Sequence, residues 1–192
     1  MLKDLILKNR SYRRFHEEIS IGIQTLRELV DLARNSASAS NLQPLKYVLS
    51  CDPKTNTKIF SCLSWAGYLK DWGGPKEGER ASAYIIILGD SEIAEKIHCD
   101  HGIAAQSILL GAAEKGLGGC MLGLIMRKKL RKIFELSDRY EVILVIALGK
   151  PKEKVVLEEV GENGSIKYWR DENDVHHVPK RTLKELVIKE YQ

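Results

Sequence analysis

Gly116-Leu117-Gly118-Gly119-Cys120-Met121-Leu122-Gly123 is the stretch that decides the fold class, since its run of glycines invites comparison with a dinucleotide-binding loop. The G-x-G-x-x-G pattern begun at Gly116 and Gly118 needs a third glycine at 121, where Met121 stands. That fingerprint also follows a strand and opens a helix, whereas here the loop closes a helical stretch. A dinucleotide-binding Rossmann sheet is therefore excluded. What remains is a tight glycine-rich turn over 117–124 that runs into a short strand and leaves backbone amides free of covering side chains.

Upstream of this turn a long helical region is predicted over 91–115, with small residues at Ala104, Ala105, Gly111 and Ala112 that let another helix come close. Before it, Ala83-Tyr-Ile-Ile-Ile-Leu-Gly89 is an unbroken apolar run, the pattern of a strand buried on both faces. A strand is predicted over Leu45–Ser50, a helix over 56–66 and a glycine-rich loop over 68–80. Leu26, Leu29, Val30, Ala33 and Ala37 mark one face of an earlier helix that dissolves into Asn35-Ser-Ala-Ser-Ala-Ser40. Leu2, Leu5 and Ile6 mark a short amphipathic helix ending near Asn9, followed by a polar basic turn. Downstream come a basic helix at 127–136, an apolar strand at 140–149, a short strand at 166–169 and a final helix around 183–188. Helices and strands alternate, but the strand connections are irregular, which predicts α+β layers.

The chain has 192 residues, with 30 Lys+Arg against 26 Asp+Glu and a net charge of +4, so one mildly basic globular domain over 1–192 is the expected organisation. Cysteines at 51, 62, 99 and 120 show no C-x-x-C spacing, which predicts reduced thiols and a cytoplasmic protein. No apolar run approaches a membrane span, and no secretory signal is recognisable. His98 and His101 share a helix face but lack further ligands at a recognisable spacing, so no metal is expected. The charge run Arg127–Lys132 has no interleaved aromatics and describes a solvated helix face better than a nucleic-acid surface. Neither a nucleophile elbow nor a P-loop occurs.

Two further segments carry chemistry. Arg10, Ser11, Arg13 and Arg14 gather at the end of the first helix, and guanidinium groups with a hydroxyl suit phosphate oxygens. The same residue types also describe a solvated basic turn. In Ser36-Ala-Ser38-Ala39-Ser40-Asn41-Leu-Gln43-Pro44, small side chains admit a flat ligand while Asn41 and Gln43 offer donors and acceptors to a heterocycle edge. An ordinary polar loop fits that segment equally well.

Taken in order, these segments resemble the FMN-dependent nitroreductase family along nearly the whole chain. Arg10-Ser11-x-Arg13 resembles its N-terminal flavin-binding turn, and Ser38-Ala-x-Asn41-x-Gln43-Pro44 resembles its Pro-Ser-Ala-x-Asn-x-Gln-Pro segment, with Ala37 where proline is usual. Gly116-Leu-Gly118-Gly119-Cys120 resembles the loop beside the flavin ring, and Pro179-Lys180-Arg181-x-Leu183 the basic C-terminal segment. The resemblance implies an α+β fold with a central, mostly antiparallel sheet flanked by helices. It also implies a homodimer with FMN at the interface and hydride transfer from NAD(P)H to a nitroaromatic, quinone or similar acceptor in two half-reactions. A flavin carrier without turnover, and a reductive dehalogenase or flavin-modifying enzyme on the same scaffold, are the alternatives. By the same resemblance Arg10, Ser11 and Arg181, with Lys180 after them, hold the phosphate, and Arg13 lies nearer the pyrimidine edge. Ser38, Ala39, Ser40, Asn41 and Gln43 come from the partner chain, Leu117, Gly118 and Gly119 present backbone to the ring, and Trp65, Tyr68 and Trp72 form a lid. Asn9 departs from the pattern, many members having arginine there.

Overall fold

The computed structural model describes residues 1–192. At its centre lies a five-stranded sheet, antiparallel throughout. Strand β3 (Ala83–Asp90) is buried along its whole length. Tyr84, Ile86 and Leu88 enter one core while Ala83, Ile85 and Ile87 enter the other, as the two-residue period of a strand requires. Strand β2 (Leu45–Ser50) pairs with one side of β3, and β5 (Tyr140–Pro151) with the other. Between Ile87 and Leu88 the register with β5 shifts so that Ile143 has no partner. This bulge changes the parity of β5, which is why Val142 and Val145 face the same core. Strand β5 also pairs with β4 (Gly118–Leu122) and, at its C-terminal end, with β1 (Phe15–His16).

Helices α2 (Ile23–Arg34) and α4 (Asp100–Glu114) cover one face of the sheet. The helix partner expected for the small residues of α4 is α2: a Cβ on Gly111 would lie 2.3 Å from Leu32 Cδ1 and 3.1 Å from Leu29 Cδ2. On the other face Ile59 of α3 (Pro53–Phe60), Trp65 and Leu130 of α5 (Arg127–Ile133) complete the second core.

Several predicted boundaries move for local reasons. Helix α3 starts at Pro53 and not at 56, because Asp52 caps it by accepting the Thr55 N–H at 2.8 Å and proline occupies its first turn. It stops at Phe60, and Leu63 bridges to Ile125. The helix predicted over 91–115 begins only at Asp100. The stretch 117–124, expected as a turn into a short strand, is strand already from Gly118 to Leu122 (β4), so these glycines lie within the sheet.

The C-terminal stretch builds a second sheet from β6 (Val155–Glu159), β7 (Trp169–Arg170) and β8 (His176–Lys180), with β8 in the middle. Only its shortest strand was predicted in part. Helix α1 (Leu2–Lys8) and helix α6 (Leu183–Leu186) bury none of their residues. No helix is long and apolar enough to cross a membrane.

Candidate functional site

The turn between α1 and β1 is nailed to the sheet by its backbone. The Tyr12 N–H donates to Gly119 O at 3.0 Å, the Arg13 and Arg14 N–H groups both donate to Glu153 Oε1, and Phe15 is fully buried against Gly149. Arg14 turns back into the protein, where its guanidinium grips Glu79 at 2.8 and 2.9 Å and Asp174 at 3.0 Å. Arg10, Ser11 and Arg13 are left facing a cavity of about 310 Å³. Helix α4 contributes Gln106 and Leu109, strand β4 contributes Met121, strand β8 contributes His176, Val178 and Lys180, and Tyr168, just before β7, and Asn9 complete the lining.

Arg10, Arg13 and Lys180 put three cationic side chains on this cavity, and its lining contains no carboxylate. Burial lowers the Arg10 pKa from its ordinary value, the cost of holding a charge away from water. Three buried nitrogens here, Arg10 Nε, Arg13 Nε and His176 Nδ1, have no hydrogen-bond partner within the protein. Buried donors without partners are rare and costly, so the cavity is built for a ligand that carries acceptors. A phosphate with a carbonyl-bearing heterocycle meets that description.

His176 is 1% exposed and sits with Nε2 3.2 Å from Arg13 Nη1. Burial, and after it the charges of Arg13 and Arg170, push its pKa down to about 4, so the ring is neutral near pH 7. Since Arg13 can only donate, Nε2 accepts and the proton lies on Nδ1. The Arg13 guanidinium also lies over the Tyr168 ring at 4.8 Å, and Tyr168 contacts the rings of His176 (5.2 Å) and Tyr68 (4.9 Å).

Segment 38–43 lies elsewhere. Ser38 and Gln43 line a second cavity of about 310 Å³ that shares no residue with the cationic one. Ser40, Asn41 and Gln43 adopt left-handed backbone, with φ of 49°, 55° and 52°. Buried Asp100 holds the segment: it accepts from Ser38 Oγ at 2.5 Å and from the Ala39 N–H at 3.0 Å, while Gln43 N–H donates to Ser38 Oγ at 2.9 Å. Strained conformations kept in place in this way concentrate at functional sites.

Leu117, Gly118 and Gly119 do not line the cationic cavity. A Cβ on Gly118 would meet the Tyr12 ring at 2.5 Å, and one on Gly119 would meet Ala147 O at 2.6 Å. Both glycines are thus demanded by packing inside the protein. Arg181 is also outside the cavity, half-exposed and 3.5 Å from Glu185, whereas Lys180 lines it. Of the expected lid residues, Trp65 is buried beneath Gly74, and Trp72 lies under the Arg170 guanidinium at 4.4 Å. Tyr68 alone reaches the wall of the cavity, through Tyr168. Tyr168 and Asp100 carry no signal in the sequence that marks them as site residues, and for His176 the adjacent His176-His177 pair is the one available signal.

A sequence model of the nitroreductase family matches residues 6–150. A protein of Archaeoglobus fulgidus provisionally named NADH dehydrogenase/NAD(P)H nitroreductase is 25% identical over 158 residues, covering 78% of this chain and 85% of its own. Among solved structures, a nitroreductase family protein from Streptococcus pneumoniae superposes with a TM-score of 0.66 at 16% identity, over 80% of this chain and 92% of that one. An FMN-dependent nitroreductase from Clostridium difficile superposes with a TM-score of 0.62 at 23% identity, over 77% and 87%. Tyr168, His176 and Lys180 lie beyond the matched residues 6–150.

Proposed function

Since the chain belongs to the nitroreductase family of oxidoreductases, we propose that it is an FMN-dependent NAD(P)H oxidoreductase that reduces nitroaromatic, quinone or similar acceptors. The observation that carries this proposal is the cavity with three cationic side chains, no carboxylate and three unpartnered buried nitrogens. Arg10, Ser11 and Lys180 would hold the phosphate by charge-assisted hydrogen bonds. Arg13 would stand at the pyrimidine edge, its direction fixed by Tyr168 and by neutral His176. FMN held there would supply two-electron hydride chemistry between NAD(P)H and an acceptor. The chain's own contribution is positive charge placed in advance where reduction builds negative charge, so no side-chain acid or base is assigned.

The flavin would lie between two subunits, with Ser38, Ala39, Ser40, Asn41 and Gln43 of one chain completing the cavity of the other. Two observations support this. The 38–43 segment is held in a strained form away from the Arg10 cavity of its own chain. In addition α1 and the C-terminal arm expose Leu2, Ile6, Leu183, Leu186 and Ile188, apolar surface of the kind that marks an interface. We further propose a cytoplasmic protein organised as one domain.

The test is an anaerobic absorbance spectrum of the protein reconstituted with FMN, recorded before and after NADH and then NADPH. Bleaching of the flavin band is the expected result and names the donor. A band that persists with both donors refutes the NAD(P)H activity, and failure to retain FMN refutes the site.

A further inference from the structure

Nine buried side-chain nitrogen and oxygen atoms lack a hydrogen-bond partner, and three of them lie in the cofactor cavity described above. Three others, Arg80 Nε, Ser82 Oγ and Tyr84 Oη, belong to residues that together line a different cavity of about 130 Å³. It lies where Arg80–Ser82 lead into β3, against α3 and the turn after β1, and shares no lining residue with either cavity already described. A single water needs only about 10–15 Å³ of such space, so the volume admits a small organic molecule.

The charges around it are arranged unequally. Arg80 makes no ion pair, and its guanidinium is held over the Phe60 ring at 4.4 Å. Glu17, the carboxylate in the lining, is committed through Oε2 to the backbone N–H groups of Gly78 (2.6 Å) and Arg80 (3.2 Å). Tyr84 is fully buried, and burial raises its pKa, with Glu17 and Arg80 both close enough to add opposing effects. The lining thus carries a planar cation and two hydroxyl groups without protein partners, with Pro53 and Phe60 as its apolar wall and Ser20, Asn56 and Thr57 as further polar groups. A guanidinium fork and phenol and hydroxyl donors match the two oxygens of a carboxylate. Nearby Glu17 disfavours a dianion such as phosphate, and the apolar walls suit a short hydrocarbon tail.

We propose that this cavity is a second binding site, for a small monocarboxylate held by Arg80, Ser82 and Tyr84. It is independent of the flavin proposal, because none of its residues is assigned to FMN. The test is calorimetric titration of the FMN-loaded protein with propionate, repeated on Arg80→Met and Tyr84→Phe, beside a crystal structure of the loaded protein soaked in propionate. Propionate should bind the parent protein, at least about tenfold more weakly after Arg80→Met and severalfold more weakly after Tyr84→Phe. Its carboxylate should be seen between Arg80 and Tyr84. An unchanged FMN dissociation constant shows that each variant is folded. If Arg80→Met does not retain FMN, Arg80→Lys replaces it, keeping the charge without the fork, and should also weaken propionate. Should the parent not hold FMN, the same titration on the flavin-free protein tests this site alone. The proposal is overturned by propionate binding that is indifferent to the Arg80 and Tyr84 changes, by binding that instead perturbs the flavin spectrum, or by an absence of binding with ordered water only at the three atoms.

Discussion

His176 gives the structure a pH signature that can be worked out in advance. Its ring is buried between Arg13 and Arg170, and its pKa falls from 6.5 to about 4. The unfolded chain therefore binds more protons than the folded one between those two values. Stability is fully present above about pH 6.5, is lost as pH falls towards 4, and does not change further on this account below that. The interval from 6.5 to about 4, at about 1.4 kcal/mol per pH unit, corresponds to about 3 kcal/mol, and screening at the cavity mouth reduces this to about 2–3 kcal/mol. Carboxylates elsewhere titrate over part of the same range, so the useful quantity is the difference between the parent and His176→Gln, which keeps a carbonyl acceptor for Arg13 but has no titrating ring. Urea unfolding from pH 7.5 to 4 should show the parent losing about 2–3 kcal/mol more than the variant. FMN affinity should follow the same curve, because protonating Nε2 removes the acceptor that aims Arg13. Parallel pH profiles for the two proteins, or a ring titrating near 6.5 by NMR, would refute the proposed burial and charge environment.

Lys180→Ala should weaken FMN by about 10- to 100-fold, the loss of one charge-assisted contact of about 1.5–3 kcal/mol, while leaving riboflavin affinity nearly unchanged. Arg181→Ala should change either by less than about threefold because its guanidinium is half-exposed outside the cavity; fluorescence titration that ranks the two the other way contradicts the placement of β8. Gly119→Ala should cost about 1–3 kcal/mol or more in flavin-free protein, since the new Cβ meets backbone Ala147 O; a loss of FMN affinity with unaltered melting would instead show that the glycine serves the ligand. Asp100→Ala should lower the melting temperature by several degrees, as two donors lose their buried acceptor, and weaken FMN as the 38–43 segment relaxes. If flavin bridges two subunits, FMN should strengthen the dimer by linkage, which equal dimer dissociation with and without FMN in analytical ultracentrifugation would disprove.

Elements with one dominant physical signal were legible from the sequence. The Ala83–Gly89 run could only be a strand covered on both faces, and the small residues of α4 announced the approach of α2. In the glycine-rich stretch at 116–123, sequence shows a missing side chain but not what occupies the space. Gly118 and Gly119 make room for Tyr12 and for the Ala147 carbonyl, so the same residue type that elsewhere admits a ligand here admits the protein itself. The second sheet was illegible for a different reason. β7 is two residues long, and β6 and β8 are exposed enough to lack a regular apolar alternation. His176 acquires its properties from burial and from the charge of Arg13, 163 residues distant, neither of which a local window shows.

The arrangement of charge around β1 explains how a basic turn can stay partly unpaired in a folded protein. Of the arginines following α1, Arg14 is neutralised by Glu79 and Asp174, and Glu153 is committed to the Arg13 and Arg14 backbone amides and to Arg170 at 2.8 Å. Every nearby carboxylate is thus assigned to the backbone or to a residue behind the turn, and none is left to pair with Arg10 or Arg13. Their guanidinium groups are instead held by carbonyl oxygens, Ile6 O for Arg10 and Ser11 O for Arg13, by the His176 ring and by the Tyr168 face. These are neutral partners that fix direction without cancelling charge. A protein that merely needed to bury those arginines would do so at lower cost with an acidic residue among the cavity-lining positions. The absence of one, in a cavity whose arginines are oriented by neutral groups and keep Arg10 Nε and Arg13 Nε unpartnered, is what an anion site requires before its anion arrives.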